Sequence, residues 1–273
     1  MPIQINTNLG ALSAQKEGNK ANEAIKNAFA RISSGLKVNT AKDDAAALSV
    51  AVDITSQIQG LSQAQRNSSD AISLSQVAEG TLSEVSDILQ RARTLSVQAA
   101  NGTNSAQDNR AIQAEISGLQ EQLNDITQSS SFNGVDLFSG DVSLEFQTGA
   151  EAEQTVNISI ENPSKSLGPI DVSTPEAAQT SITAIDAALE NVTNARSDLG
   201  ALQSRFESTV RNIKSQQEGL AASRSRIQDA DIGLETANLV KNQILSQASL
   251  AAQAQANVSK QGALALLTQR GNS

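Results

Sequence analysis

The feature that most constrains the fold of this chain is a stride of seven residues in its C-terminal half. A strict seven-residue repeat places one side chain every two turns along a single helix face, and that face packs against a neighbouring helix. The stride is apolar at seven consecutive steps, which are Ile185, Val192, Leu199, Phe206, Ile213, Leu220 and Ile227. It predicts the core seam of one helix of about fifty residues.

The second core position of the same register is mixed. It is apolar at Ile182, Leu189 and Val210. It is polar at Arg196, Gln203, Gln217 and Arg224. These interruptions lower the expected stability of the seam but keep the helical prediction. Thr174 and Pro175 mark the start of the helix, as its cap and its first helical residue.

A second long helix is predicted from about Asp43 to Ala100. Thr40 and Asp43 have the spacing of a capping box, and Asn101-Gly102 marks the end of the helix. Apolar and small residues at three-four spacing continue it, and they are Leu82, Val85, Leu89 and Ala92. We expect this stripe to bury against the other helices.

A third helix is predicted to open at Ser105, with Asp108 as the acidic member of its capping box. Its apolar stripe consists of Ile112, Ile116, Leu119, Leu123 and Ile126. The three stripes together predict a mainly α protein, built as an antiparallel helical bundle or coiled coil over residues 48–129 and 173–227.

The period of the pattern changes to two between residues 130 and 172. Apolar residues alternate with polar ones at Val142, Leu144 and Phe146, and again at Val156, Ile158 and Ile160. Asn133-Gly134 is a strong signal for a tight hairpin turn. We therefore expect a small β-hairpin insertion in the bundle.

Composition favours an elongated protein. Aromatic residues make up 2% of the chain, with five Phe and no Trp or Tyr, so burial depends on Leu, Ile, Val and Ala. Such side chains pack well along narrow seams between helices. A net charge of -9 argues against nucleic-acid binding, which requires clustered Lys and Arg. No run of about 18 apolar residues is present, so a membrane span is not expected.

The chain also lacks the residues that most enzymes need. It contains no Cys and no His, which excludes thiol nucleophiles, serine-histidine systems and imidazole metal sites. Acidic pairs occur at Asp43-Asp44 and at Asp229 with Asp231, where we expect helix caps rather than a cation site or acid-base catalysis. We predict no catalytic residue, no cofactor and no metal. The N-terminus lacks a basic start followed by an apolar core, so any export is expected to proceed without a cleaved signal peptide.

The two chain ends, residues 1–34 and 235–273, are amphipathic but rich in Ala, Asn, Gln and Ser. Alone they have too little to bury, so we expect them to order only against each other and against neighbouring subunits. The residues predicted to pack in self-assembly are Leu9, Leu12, Phe29, Ile32, Val240, Ile244, Val258 and Leu264. Residues 35–47 and 228–234 are predicted linkers to the bundle.

Several motifs resemble those of the bacterial flagellins. At the N-terminus they are Ile5-Asn6-Thr7-Asn8, Arg31-Ile32-Ser33-Ser34-Gly35-Leu36 and Ala41-Lys42-Asp43-Asp44-Ala45-Ala46. At the C-terminus they are Ser225-Arg226-Ile227-Gln228-Asp229-Ala230-Asp231, Gln243-Ile244-Leu245 and Ala254-Gln255-Ala256-Asn257. The resemblance covers almost the whole chain and implies a short form without large outer domains. It departs from the family at Ala47, where Gly is frequent, and at Thr94, where Glu is common.

The resemblance implies a structural subunit that polymerises into the extracellular flagellar filament used for motility. It implies that the terminal segments pair as an inner coiled-coil tube, with the central bundle outside it. The implied partners are other copies of the chain, a cytosolic export chaperone of the type III apparatus, a filament cap protein and hook-associated proteins.

Many flagellins also bind a toll-like receptor through a Leu-Gln-Arg motif and neighbouring helix positions. By motif, the corresponding surface comprises Leu89, Gln90, Arg91, Leu95, Gln98 and Glu115. The alternative for Leu89 and Leu95 is packing within the bundle or between subunits.

Two other readings of the whole chain stay open at the level of sequence. A hook-filament junction protein resembles flagellin at both ends, and a nonflagellar coiled-coil scaffold would explain the heptads but not the terminal motifs.

Overall fold

A computed structural model describes residues 7–162 and 167–270, with side chains described as far as residue 262. Ile5, Asn6 and the side chain of Leu264 therefore lie outside the description. The helices of this part of the chain are α1 (Leu9–Ser34), α2 (Ala45–Ala99), α3 (Ala106–Ser129), α4 (Pro175–Gln228) and α5 (Ile232–Arg270). The strands are β1 (Ser131–Phe132), β2 (Val135–Asp136), β3 (Val142–Gln147) and β4 (Thr155–Ile160). The prediction of a mainly α protein with a β-hairpin insertion is confirmed.

The chain divides into two compact units. The first comprises the residues up to Thr55 and those from Leu220 onward, so it contains α1, α5, the start of α2 and the end of α4. The second comprises Ser56–Gly219, with α3, the strands and the greater part of α2 and α4.

Helix caps explain where α3 and α4 begin. At α3, the Ser105 hydroxyl accepts the Asp108 N–H at 3.2 Å, and the Asp108 carboxylate accepts the Ser105 N–H at 2.9 Å. This reciprocal pair is the predicted capping box. At α4, the Thr174 hydroxyl accepts the Ala177 N–H at 3.2 Å, and Pro175 is the first helical residue, as predicted.

The predicted capping box of α2 is wrong. Asp43 does accept the N–H of Thr40 at 2.9 Å, but the two residues close a separate turn before the helix. The cap of α2 is Asp44, whose carboxylate accepts the Ala47 N–H at 2.9 Å. The Thr40–Asp43 spacing matches a capping box, but the next residue, Asp44, can itself cap the helix, so the sequence motif places the helix start too early.

Within the second unit, the buried face of α2 follows two strides of seven. One stride consists of Leu61, Ser68, Ser75, Leu82, Leu89 and Ser96. The other consists of Ala64, Ala71, Ala78, Val85, Ala92 and Ala99. The three buried serines each donate their hydroxyl to the carbonyl four residues earlier at 2.8 Å, so no hydroxyl of this seam is left unsatisfied.

The stride of seven in α4 faces the same core. Ile185, Val192, Leu199, Phe206 and Ile213 are all buried. Two of the polar interruptions bond to α2, because Gln203 donates to Glu79 at 3.2 Å and Gln217 donates to Ser62 at 3.0 Å. From the first bond to the second, the residue number rises on α4 and falls on α2. The two helices are therefore antiparallel.

Two hairpins form the β insertion. The β1–β2 turn has Asn133 at φ 50° and Gly134 at φ 79°, the paired positive angles of a type I′ turn. In the β3–β4 hairpin, Val142 pairs with Ile160 and Phe146 with Val156. The alternation buries Val156, Ile158 and Ile160. Both strand predictions are confirmed.

Residues 170–172, which lie between β4 and α4, are held by hydrogen bonds from side chains. Gln113 of α3 donates to the Ile170 carbonyl at 2.9 Å and accepts the Val172 N–H at 2.7 Å. From α4, Ser181 accepts the Asp171 N–H at 3.1 Å and donates to its carbonyl at 2.8 Å. These bonds satisfy the backbone of a segment that buries Ile170 and Val172 in the core.

Candidate assembly surface

Helices α1 and α5 of the first unit pack along each other in opposite directions. Near one end of the pair, the Asn8 amide donates to the Ala256 carbonyl at 3.1 Å. Further along, the Ser246 hydroxyl donates to Asn22 at 3.0 Å. At the other end, Arg31 forms an ion pair with Glu235 at 3.0 Å.

The seam between these helices is narrow and contains small residues. On α1 the buried residues are Gly18, Ala21 and Ala28. A Cβ added at Gly18 would lie 2.6 Å from the Ser249 hydroxyl oxygen, so glycine permits the close approach of the two helices here. On α5 the half-buried positions that follow Glu235 in a stride of seven are Asn242, Ser249 and Ala256. Among the described residues of the two helices, no large apolar side chain is fully buried, and Ile25, Ile32 and Leu239 are half-buried.

Most of the large apolar side chains described on the two helices are instead exposed. On α1, Leu9 is 68% exposed, Leu12 is 63% exposed and Phe29 is 66% exposed. On α5, the exposed residues are Ile232, Leu234, Val240, Ile244, Leu245, Leu250 and Val258. We call these ten residues the terminal apolar face. Large apolar side chains exposed in this number mark an interaction site.

The structure places most of the predicted self-assembly residues on this face. Leu9, Leu12, Phe29, Val240, Ile244 and Val258 are exposed. Ile32 is half-buried, and the side chain of Leu264 lies outside the described residues. Sequence reasoning missed Ile232, Leu234, Leu245 and Leu250, which extend the face along α5.

The predicted bundle seam lies elsewhere. Its first five members are buried in the core of the second unit, as described above. Leu220 and Ile227 belong to the first unit and are half-buried.

The six residues of the receptor surface predicted from the motif fall into a buried group and an exposed group. Leu89 is 1% exposed and Leu95 is 3% exposed, so both pack in the core and neither belongs to a surface. Leu89 is a member of an α2 stride, which explains its inward direction. Gln90, Arg91, Gln98 and Glu115 are exposed. The receptor surface inferred from the motif is thus corrected to these four polar residues.

Two exposed ion pairs lie on this part of the bundle. Arg91 donates twice to one oxygen of Glu115, at 3.1 and 2.6 Å, and so ties α2 to α3. Two residues further along α2, on a different face of the helix, Arg93 donates to Asp186 of α4 at 2.6 Å. The hydrogen bond from Arg93 lowers the pKa of the Asp186 carboxyl, and the same bond raises the pKa of Arg93.

Among the acidic pairs, Asp43 caps a turn and Asp44 and Asp231 cap helices, whereas Asp229, also expected to be a cap, bonds to a side chain. Asp231 accepts the Leu234 N–H at 3.1 Å at the start of α5, and Asp229 accepts the Ser225 hydroxyl at 2.6 Å. Within residues 7–162 and 167–270, no group of three or more acidic side chains has the arrangement of a metal site. Among the described helices, none is long and apolar enough to span a membrane.

Comparison with known families decides the identity. The sequence model of the bacterial flagellin N-terminal helical region matches residues 5–143, and that of the flagellin C-terminal helical region matches residues 182–267. The chain belongs to the bacterial flagellin family.

Relatives match along nearly the whole flagellin sequence. A flagellin of Halalkalibacterium halodurans is 41% identical over 96% of this chain and 99% of its own length. The flagellar filament 30.7 kDa core protein of Treponema maltophilum is 36% identical over 97% of this chain and 99% of its own length. A solved structure described as a flagellar hook-associated protein from Vibrio parahaemolyticus has a TM-score of 0.58 at 15% identity. It covers 68% of this chain and 100% of its own, and it shows the fold alone.

Membership of the flagellin family makes the chain a structural subunit of the bacterial flagellar filament, which is extracellular. The hook-associated alternative has less support, because the relatives that match at high identity are flagellins and filament core proteins. A nonflagellar scaffold is inconsistent with the two family matches.

Proposed function

We propose that the terminal apolar face is the surface through which copies of this flagellin assemble, with α1 and α5 forming the inner tube of the filament. The observation that carries the proposal is the arrangement of the α1–α5 pair. Its fully buried residues are small or charged, whereas ten large apolar side chains remain exposed and three more, Ile25, Ile32 and Leu239, are only half-buried.

The free energy of ordering supports the same conclusion. Fixing the backbone costs about 1–2 kcal/mol per residue, and long helices without apolar burial are marginal in water. Burying one exposed Leu, Ile or Phe contributes about 1.5–3 kcal/mol. The face therefore offers its stabilisation only when neighbouring copies cover it. We propose that residues 1–34 and 235–273 are disordered in the free monomer and fold on assembly.

The rest of the domain scheme follows from this division. Residues 35–47 and 228–234 are the proposed linkers, residues 48–129 and 173–227 the central bundle, and residues 130–172 its β-rich insertion. The core of the second unit is formed by buried residues of α2, α3, α4 and β4 and contains none from the terminal segments. The bundle is therefore proposed to fold before assembly.

Truncation tests the proposal. A chain that lacks residues 235–273 loses the α5 side of the pair and leaves Ile185, Val192 and Leu199 in place. We expect its cooperative unfolding to persist while seeded polymerisation, measured by sedimentation, fails. Filaments formed by the truncated chain would contradict the assembly role of α5.

A point substitution separates the apolar face from helix formation. Ile244 is 61% exposed, so Ile244→Ser leaves the monomer fold unchanged but removes apolar burial from the polymer. We expect the critical concentration for polymerisation to rise about tenfold, which corresponds to roughly 1.4 kcal/mol. Gln247→Ser, at an exposed polar position three residues away, is the matched control and should leave the critical concentration unchanged.

The partners implied by the flagellin family fit the same scheme. An export chaperone would cover the apolar residues of α5 before assembly, and a cap protein and hook-associated proteins would meet the same face at the two filament ends. Binding of a type III export chaperone to the full-length chain, and its loss on removal of residues 235–273, tests the first of these contacts.

Receptor recognition is a second proposed function, and it rests on the exposed Arg91–Glu115 pair. We expect Arg91→Ala to weaken activation of a flagellin-responsive toll-like receptor. Arg93→Ala is the matched control, because Arg93 also forms an exposed ion pair, two residues further along α2 and on a different face of the helix. Equal activation by wild type and Arg91→Ala would contradict a receptor role for this pair.

A further inference from the structure

One charged residue of the α1–α5 pair is buried. Glu235 is 7% exposed, and among the side chains that the structure describes it is the one charged residue in the buried class. Its carboxylate meets the Arg31 guanidinium at 3.0 Å. A buried carboxylate without a partner is strongly unfavourable, so the position of Arg31 opposite Glu235 is a requirement of the packing.

The remainder of the seam selects its register only weakly. Gly18, Ala21 and Ala28 of α1 are small, and apart from Leu239 the half-buried residues of α5 are small or polar. Ile25, Ile32 and Leu239 are half-buried, and hydrogen bonds of Asn8 and Ser246 also cross the pair, but none of these contacts buries a charge. A slip of one turn therefore costs less at these positions than at Glu235. In coiled coils of this kind, a single polar contact in the seam sets the register.

No other residue can replace Arg31 after such a slip. Arg31 is the only charged residue of the sequence between Lys26 and Lys37. On α5, the next charged residue after Glu235 is Lys241, of the wrong sign. Asp231 lies one turn before Glu235 but already accepts the Leu234 N–H as the helix cap. A slip in either direction would therefore leave Glu235 buried without a cation.

The ion pair also lies where the helix ends favour both charges. Arg31 is in the last turn of α1 and Glu235 is in the first turn of α5. The partial charges of the helix ends stabilise a cation and an anion at these respective positions.

The linkers beside the ion pair are already joined. Lys37 donates its N–H to the Gln228 carbonyl at 2.7 Å, and Ala230 donates to the Gly35 carbonyl at 2.9 Å. Gly35 adopts φ 72°, the left-handed conformation that ends α1 and turns the chain toward this contact. Pairing that begins at Arg31 and Glu235 thus closes a shorter loop than pairing that begins at the chain ends.

We propose that Arg31 and Glu235 are the positioning pair that sets the register of α1 against α5 and at which the pairing of the two helices begins. The proposal rests on the assembly role given to this helix pair above. In this proposal the ion pair, more than the small residues of the seam, selects one register of α1 against α5.

Disulfide trapping in the full-length chain tests the register. The sequence contains no cysteine, so only introduced thiols react. Asn22→Cys with Ser246→Cys reports the observed register, because these side chains are in contact at 3.0 Å. Asn22→Cys with Asn242→Cys reports a slip of one turn. Each double variant is oxidised during seeded polymerisation, and the intrachain disulfide is quantified.

We expect the first disulfide to dominate when Arg31 and Glu235 are intact. Glu235→Gln or Arg31→Gln should lower the ratio of the first disulfide to the second about tenfold and slow filament elongation. The exchanged variant, Arg31→Glu with Glu235→Arg, should recover most of the ratio. Recovery is incomplete because the exchanged charges oppose the helix ends. Glu17→Gln, which breaks the exposed Glu17–Lys20 pair on α1, is the matched control and should change neither quantity.

Two results would overturn the register role. One is an unchanged disulfide ratio in both single variants, and the other is an exchanged variant no better than the single ones. Either result leaves the assembly role of α5 intact if truncation of residues 235–273 still abolishes polymerisation. Filament formation by the truncated chain would instead remove the assembly role itself.

Discussion

Phe146 of β3 meets Phe206 of α4 edge to face, with ring centroids 6.1 Å apart and ring planes at 78°. The contact joins the β-hairpin to the stride of seven on α4. Phe206 is fully buried and Phe146 is half-buried. In a chain with five Phe and no other aromatic residue, this pair places two of the largest available side chains at one point of the core.

Removal of this contact should destabilise the bundle. We expect Phe206→Ala to lower the free energy of unfolding by about 3–5 kcal/mol, because it leaves a cavity under the hairpin. Chemical denaturation of the monomer measures the loss. Phe29→Ala is the matched control, since Phe29 is exposed and the same substitution there should change monomer stability by less than about 0.5 kcal/mol.

A charged substitution in the α4 seam tests which face of this helix is buried. Leu199 is 2% exposed, so Leu199→Asp introduces a buried carboxylate without a partner and should destabilise the monomer by several kcal/mol. Ala201→Asp, on the exposed side of the same turn, should cost far less. Thermal unfolding midpoints that are equal for the two variants would contradict the register of α4.

The bonds from Gln113 to the segment at Ile170 and Val172 should contribute measurably to stability. Gln113→Ala leaves one carbonyl and one N–H of this partly buried segment without their partner, at a cost of about 1–3 kcal/mol. Gln120→Ala removes a single contact of 3.3 Å to the Gly168 carbonyl and should cost less. Urea titration of both variants distinguishes the two contributions, and equal losses would contradict the role of Gln113.

Stability should fall in acid through the capping carboxylates. Hydrogen bonds from the Ser105 hydroxyl and N–H lower the pKa of Asp108, and the Ser173 N–H lowers the pKa of Asp171. A depressed pKa means that the unfolded chain binds protons more readily than the folded one. The contribution is therefore complete above the ordinary carboxyl pKa of about 3.9 and is lost as the pH falls through the lower folded value. Unfolding midpoints measured from pH 6 to pH 2 should show a smaller acid loss for Asp108→Asn than for wild type.

Sequence was sufficient to predict α4 because its stride is formed by bulky aliphatic residues. It predicted only the part of the α2 seam at Leu82, Val85, Leu89 and Ala92, and it missed the earlier part, where the same period is formed by small residues such as Ala64, Ser68 and Ala71. These side chains are not hydrophobic enough to stand out, and they are buried because the helices approach closely. The burial of these small residues shows that the period runs along most of α2, and Leu89 is buried as a member of it.

Side-chain contacts between residues far apart in the chain could not be predicted from the sequence. Gln113 bonds to a segment 57 residues away, and Arg31 pairs with Glu235 across almost the whole chain. Such bonds leave no local periodic pattern. The terminal apolar residues were predictable as a set from three-four spacing, but spacing alone did not show that they face away from the α1–α5 seam.

Hydrogen exchange of the backbone amides, measured in the free monomer and in the assembled filament, tests the central claim most directly. We expect the amides of α1 and α5 to exchange rapidly in the monomer and to become protected in the filament. The amides of Leu82 and Leu199 should be protected in both states. Strong protection of α1 and α5 in the free monomer would contradict the claim that neighbouring copies supply the burial that orders them.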